Sequence, residues 1–175
     1  MSNIEVLLTS EQFIKEVTNL SDNLSGKLLL PAIREAQQFG LKNLVGNKIY
    51  NKLIELVADG SIDNDENEDY KDLLDLSQYY LAYTVASNIV LLTAVKVDNL
   101  GVTRLSDTNV TGVDFSDLSA VRGFYQSKAD YYMSMIQKHL SESQFFNDKY
   151  SCNTNTYSSA STGLWLGGYR GRQLI

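Results

Sequence analysis

The chain has one cysteine, one histidine and one proline in 175 residues. A lone thiol, Cys152, excludes an intramolecular disulfide and every multi-cysteine zinc motif. A lone imidazole, His139, leaves little for metal ligation or proton relay. A single proline, against an average near 5% of residues, removes the commonest helix breaker. Bases are the minority charge, 15 against 21 acids, giving a net charge of −6. That balance argues against non-specific nucleic-acid binding by the body of the protein. Phosphate-cradling GxxxxGK[ST] and GxGxxG sequences are missing, and no serine lies in GxSxG. Placed near the end of a helix, His139 reads as a partner of the helix dipole rather than as a base, since a base needs a nucleophile and an orienting group. Carboxylate pairs such as Asp72 and Asp75 lie in a solvated acidic segment. No enzyme, no cofactor and no metal are expected.

What is present is an architecture. The length suits one folded unit able to bury its own core, and a hydrophobic content of 43% with 21% charged residues is that of a globular protein. Met1 to Val17 has neither a basic stretch nor a continuous apolar run, so no secretory signal is expected and cytoplasmic synthesis is the default. The uncharged run Leu76 to Val95 has the length of a membrane span. It also holds Ser77, Gln78, Asn88 and two threonines, with its three tyrosines bunched in the first half. A membrane helix disfavours such polar groups and places tyrosines at both interfaces. The run therefore reads as a buried central helix, with no membrane involved.

Apolar residues at three- and four-residue spacing predict five helices. The first covers Ser10 to Asn19, with Thr9 and Gln12 at capping-box spacing. The second runs from about Lys27 to Phe39, with Pro31 tolerated in its first turn, or kinking it if the helix starts at Ser25, and Gly40 ending it. A turn at Leu41 to Val45 and a break at Gly46 precede the third, Asn47 to Ala58, stopped by Asp59-Gly60. The fourth spans Tyr70 to about Val97. The fifth starts at Ser116 or Asp117 and reaches Leu140 or Ser143, burying Leu118, Val121, Tyr125, Ala129, Tyr132, Ile136 and Leu140. Between the last two, 102–105 and 109–113 are β-prone runs joined by Ser106-Asp107-Thr108, a hairpin candidate. The expected fold is mainly α: a helical bundle with two long helices at its core, a small β-hairpin excursion over about 102–113 and an extended C-terminal arm.

Two segments stand out by charge. Residues 59–75 carry eight acids and one base. Aligned as a calcium loop from Asp63, the glycine position falls on Glu68 and the bidentate-glutamate position on Leu74, so the EF-hand pattern fails. Asp63, Asp65, Glu66, Glu68 and Asp69 therefore read as a solvated acidic face near a helix N-terminus. Residues 151–175 have no acid and two arginines, and are rich in Ser, Thr, Asn and Gly. They hold the chain's one tryptophan, in Leu164-Trp165-Leu166-Gly167-Gly168-Tyr169-Arg170-Gly171-Arg172. Trp, Tyr and Arg are the residues that most often anchor interfaces. Leu164, Trp165, Leu166, Tyr169, Arg170 and Arg172 are thus the expected docking residues of an arm that follows a helical domain, 1–150.

The stretch Leu29-Leu30-Pro31-Ala32-Ile33-Arg34-Glu35-Ala36-Gln37-Gln38, followed by Leu41-Lys42-Asn43-Leu44-Val45-Gly46-Asn47-Lys48-Ile49-Tyr50-Asn51-Lys52-Leu53, resembles the helical head–tail connector (adaptor) proteins of tailed bacteriophages, in particular those infecting Bacteroides-type hosts, the crAss-like group included. In that pattern a helix ending in Ala-Gln leads through Leu-x-x-Leu-x-Gly into a helix with a Tyr-x-x-Leu step, and the similarity covers roughly 7–142. The resemblance implies a virion protein assembled in the host cytoplasm. It implies a homo-oligomeric ring, commonly of twelve copies, docked beneath the portal protein at the head–tail interface and contacting the next tail-side protein. DNA would pass through its channel during ejection without specific binding, and the acidic residues 63–69 would line that channel or face solvent. The other reading of the same residues is a small helical regulatory module acting on a host protein partner.

Overall fold

In a computed structural model, the described residues are 6–98, 101–104 and 115–150. Helix α1 (Glu11–Val17) is capped by Ser10, whose Oγ accepts the Phe13 N–H at 3.1 Å. The cap is therefore one residue later than the Thr9–Gln12 box expected from spacing. Gln12 instead donates to Glu16 along the helix, and the Thr9 hydroxyl is buried. Helix α2 (Gly26–Glu35) starts on a Ser25 cap, which places Pro31 in its interior, where the Lys27 carbonyl loses an N–H donor. The start at Ser25 is thus the alternative that holds. Gly40 does not end this helix. The chain continues through a π-turn, Ala36–Leu41, into the one-turn α3 (Lys42–Val45).

At Gly46, φ is +82° and ψ 154°, a combination that a side chain resists. The chain pivots there into α4 (Asn47–Asp59), and Gly60 in the left-handed conformation ends α4 as expected. The acidic loop is two 3-10 turns, Ser61–Asp63 and Asp65–Asn67, anchored by buried Ile62. Helix α5 (Glu68–Ala94) is the central element, apolar on most sides, with Tyr70, Leu73, Leu81, Ala82, Val85, Ala86 and Ile89 all buried. No helix among the described residues is long and apolar enough to cross a membrane.

Helix α5 ends three residues before the expected Val97. Its continuation is β1 (Val95–Asp98), paired antiparallel with β2 (Gly101–Arg104), Val95 opposite Arg104 and Asp98 opposite Gly101. Residues 102–104 pair backwards onto 95–97, a partner that the expected hairpin did not include. Val95-Lys96-Val97 is as β-prone as the runs beyond it, and Asp98-Asn99-Leu100-Gly101 can turn as well as terminate a helix. Residues 105–114, and with them the second expected strand, lie outside the described residues.

Helix α6 (Phe115–Glu142) packs along α5 in the largest interface of the fold, so the two long helices form the core as expected. Helices α1 and α2 and the π-turn cover other sides of α5. A short α7 (Gln144–Tyr150), not anticipated, follows a break at Ser143 and buries Phe146 against the start of α5. Each fully buried Leu, Ile or Phe in this core contributes about 1.5–3 kcal/mol against leaving it exposed.

Candidate protein-interaction surface

Two stripes run along α6. The first, Tyr125, Ala129 and Ile136 with partly buried Tyr132, faces α5. Val121, expected on that stripe, is 46% exposed and belongs to the second. Positions 117, 121, 124, 128, 131 and 135 are spaced four and three residues apart, which sets them on one line of the helix surface. They are Asp117, Val121, Phe124, Lys128, Tyr131 and Met135, with Phe124 56% and Tyr131 58% exposed. One flank of α6 therefore presents an apolar, aromatic seam headed by an acid, and no described element covers it.

The seam continues onto α5 through stacked rings. Tyr132 stacks on Tyr79 at 5.0 Å between centroids and on Tyr83 at 5.7 Å, and Tyr131 meets Tyr132 edge-on. Phe13 of α1 closes the end of the row against Tyr79. Lys128 lies over both Tyr83 and Phe124, its ammonium 5.3 and 5.0 Å from the ring centres. Its charge is thereby held on the aromatic faces, a contact worth about 0.5–1 kcal/mol at exposed sites. Burial raises the phenol of Tyr132 above its ordinary value, with the neighbouring tyrosines adding to the effect. Such a surface offers flat rings, apolar edges and little side-chain entropy to lose, the properties of a protein-binding patch.

A second patch lies where α2 passes into the π-turn. Phe39 is 73% exposed at the edge of a shallow groove with Pro31, Arg34, Lys42 and Asn43. The π-turn sets Phe39 outward while Ala36, Gln37 and Leu41 stay buried. Behind it, the Gln37 amide binds Val6, Leu8 and Tyr50.

Of the acids expected on a solvated face, Asp63, Asp65, Glu66 and Glu68 are exposed, and Asp63 pairs with Lys71 at 2.8 Å. That contact raises the Lys71 pKa. Asp69 turns inward: its carboxylate accepts from the Ser143 hydroxyl at 2.6 Å. Its carbonyl lies 3.1 Å from His139 Nε2, and because a carbonyl only accepts, Nε2 carries the proton. With Phe146 edge-on at 5.6 Å, His139 thus staples the end of α6 to the start of α5. No group of three or more His, Cys, Asp or Glu among the described residues could hold a metal ion. Leu164, Trp165, Leu166, Tyr169, Arg170 and Arg172 lie outside the described residues.

The seam was legible in principle, since its four-and-three spacing is in the sequence. A reading that assigns one apolar face per helix merges Val121 into the core stripe and leaves Phe124 and Tyr131 unassigned.

Among known proteins, a family of unknown function, DUF6712, matches residues 41–158. The chain belongs to that family. The matched span runs from the end of the π-turn through α7 and so includes the whole α6 seam, while α1, α2 and the 163–172 segment fall outside it. No curated protein and no solved structure matches the chain.

Proposed function

We propose that the protein is a non-enzymatic structural component of a tailed-phage virion: a head–tail connector whose copies form a ring, commonly of twelve, beneath the portal and extend the DNA channel toward the tail. The observation that carries the reading is the exposed aromatic seam on α6, mounted on a rigid two-helix core. A part that works by assembly needs such a surface and a body that does not yield when it is covered. The stretch that carries the resemblance supports it further. Ala36, Gln37, Val45, Ile49, Tyr50 and Leu53 are all buried together, so that the Ala-Gln end, the Gly46 pivot and the Tyr-x-x-Leu step form one packed unit.

In this reading the arm 151–175 reaches the portal or a neighbouring copy through Leu164, Trp165, Leu166, Tyr169, Arg170 and Arg172. The acidic turn, with Asp63, Asp65, Glu66 and Glu68 in solvent, faces the channel or the outside, where like charge keeps DNA from adhering. Assembly takes place in the host cytoplasm and the ring ends at the head–tail interface of the virion.

The test is to mix the purified protein with candidate portal rings and average electron micrographs. Added density with the rotational symmetry of the portal supports the connector. A single copy or a dimer held by one host protein, with no ring at any ratio, would instead favour the regulatory module.

A further inference from the structure

We propose that in the isolated protein the α6 seam is covered by the chain's own C-terminal arm, with Leu164-Trp165-Leu166 against Phe124 and Tyr131 and the arginines toward Asp117. Three observations lead there. The first is length. Helix α7 ends at Tyr150, fifteen residues before Trp165. Fifteen residues with random-coil statistics have a root-mean-square span of about 20 Å. From the end of α6 at Glu142 back to Lys128, mid-seam, is about 21 Å of helix, and α7 adds or subtracts at most about 10 Å. A tether whose average span matches the distance to its site gives the highest effective concentration, so the chain's own arm outcompetes a second copy's.

The second observation is charge. The arm carries two arginines and no acid, while all 21 acids lie in residues 1–150. Asp117 is exposed at the head of the seam line. An arm leaving the C-terminal end of α6 and running back along it reaches the apolar positions first and Asp117 last. Its own sequence has the same order, Leu-Trp-Leu and then Arg170 and Arg172.

The third observation disfavours the obvious competitor. If a second copy covered the seam about a two-fold axis, Lys128, at the middle of positions 121–135, would face its own symmetry mate. Two ammonium groups would then meet at the centre of the contact.

Trp165 is the chain's sole tryptophan, so the full-length protein carries its own reporter. Its emission in the native state should be blue-shifted and shielded from a soluble quencher relative to the urea-unfolded chain. The shift should stay constant over a hundredfold dilution. The double variant Phe124→Ser, Tyr131→Ser should move the emission to the unfolded position with an unchanged far-ultraviolet circular dichroism spectrum. Should that pair fail to fold, Asp117→Lys alone should weaken the shielding, and high salt should weaken it in the wild type. Emission at the unfolded position in the native wild type overturns the proposal, as does a shift indifferent to the seam variants. A shift that grows with concentration, or a stable dimer with Trp165 in water, overturns it in favour of a second copy. The experiment uses the isolated chain and the ring test uses portal particles, so failure of one is distinguishable from failure of the other.

Discussion

Gln37 grips Leu8 across 29 residues of sequence as a neighbouring β-strand would. Its Oε1 accepts the Leu8 N–H at 3.0 Å, while its Nε2 donates to the Val6 carbonyl and to Tyr50 Oη, both at 2.9 Å. Gln78 takes up the Leu8 carbonyl at 3.0 Å. A side-chain amide 1% exposed would be costly unpaired. Here it is satisfied on both ends, and it fixes residues 6–8 to the π-turn and to α4.

Gln37→Ala should therefore lower the unfolding free energy by about 2–4 kcal/mol, since it opens a cavity and strands the buried Leu8 N–H. Tyr50→Phe removes one shared hydroxyl and should cost about 1 kcal/mol. Urea titration of both variants measures this. A Gln37→Ala loss no larger than that of Tyr50→Phe would mean that residues 6–8 are held by packing alone.

Gly40 and Tyr80 make a second test. A Cβ added at Gly40 would come within 2.8 Å of Tyr80 Oη and 3.4 Å of the ring. Replacing a helical glycine by alanine ordinarily gains about 0.5–1 kcal/mol. Against Tyr80 the contact reverses that sign, and Gly40→Ala should destabilise. In a Tyr80→Phe background the closest atom is gone and what remains is ordinary contact distance, so Gly40→Ala should become neutral or stabilising. Thermal midpoints of the four proteins form a double-mutant cycle. Equal effects in both backgrounds would place the cost in the backbone instead.

Three glycines show why parts of the fold were legible and parts were not. Gly46 and Gly60 act locally, through positive φ, and both breaks they make are visible in the sequence. Gly40 acts through a residue forty positions away, so its sequence context reads as a helix stop although the chain runs on through a π-turn. The central burial of α5 was legible because twenty uncharged residues require a protein or lipid environment. The pairing of 102–104 with 95–97 was not, because Val95-Lys96-Val97 reads equally well as the end of α5 or as a strand, and the difference depends on where α5 ends. The α6 seam needed two stripes to be separated on one helix, which periodicity alone merges. The staple through His139, Ser143 and Asp69 joins residues seventy apart, beyond any local signal.

Ser77 offers a stabilising change. It is fully buried on α5, and its Oγ finds no hydrogen-bond partner among the described residues. A buried hydroxyl without a partner costs about 1–3 kcal/mol. Alanine at this site removes the cost while opening almost no volume, and it favours the helix. Ser77→Ala should raise the thermal midpoint, by an amount corresponding to about 1 kcal/mol. A lower midpoint would mean that the hydroxyl is bonded in solution.

Alkaline pH should unfold the protein through its tyrosines. Burial raises the phenol of Tyr80, with Asp130 adding to it against the opposing Thr84 hydroxyl, and burial likewise raises Tyr132. Both groups hold their protons more tightly folded than unfolded. Their stabilisation is therefore complete below the unfolded tyrosine value of about 10 and is lost as pH rises through the higher folded values. Lys71, raised by Asp63, acts in the same direction in the same window. The wild-type midpoint should fall from about pH 10 upward, and Tyr132→Phe should flatten that fall without changing the midpoint trend below it. Thermal melts at stepped pH, with tyrosinate absorbance recorded alongside, separate the contributions. Parallel curves for wild type and Tyr132→Phe above pH 10 would show that the stacked row beside the α6 seam opens to water before it titrates.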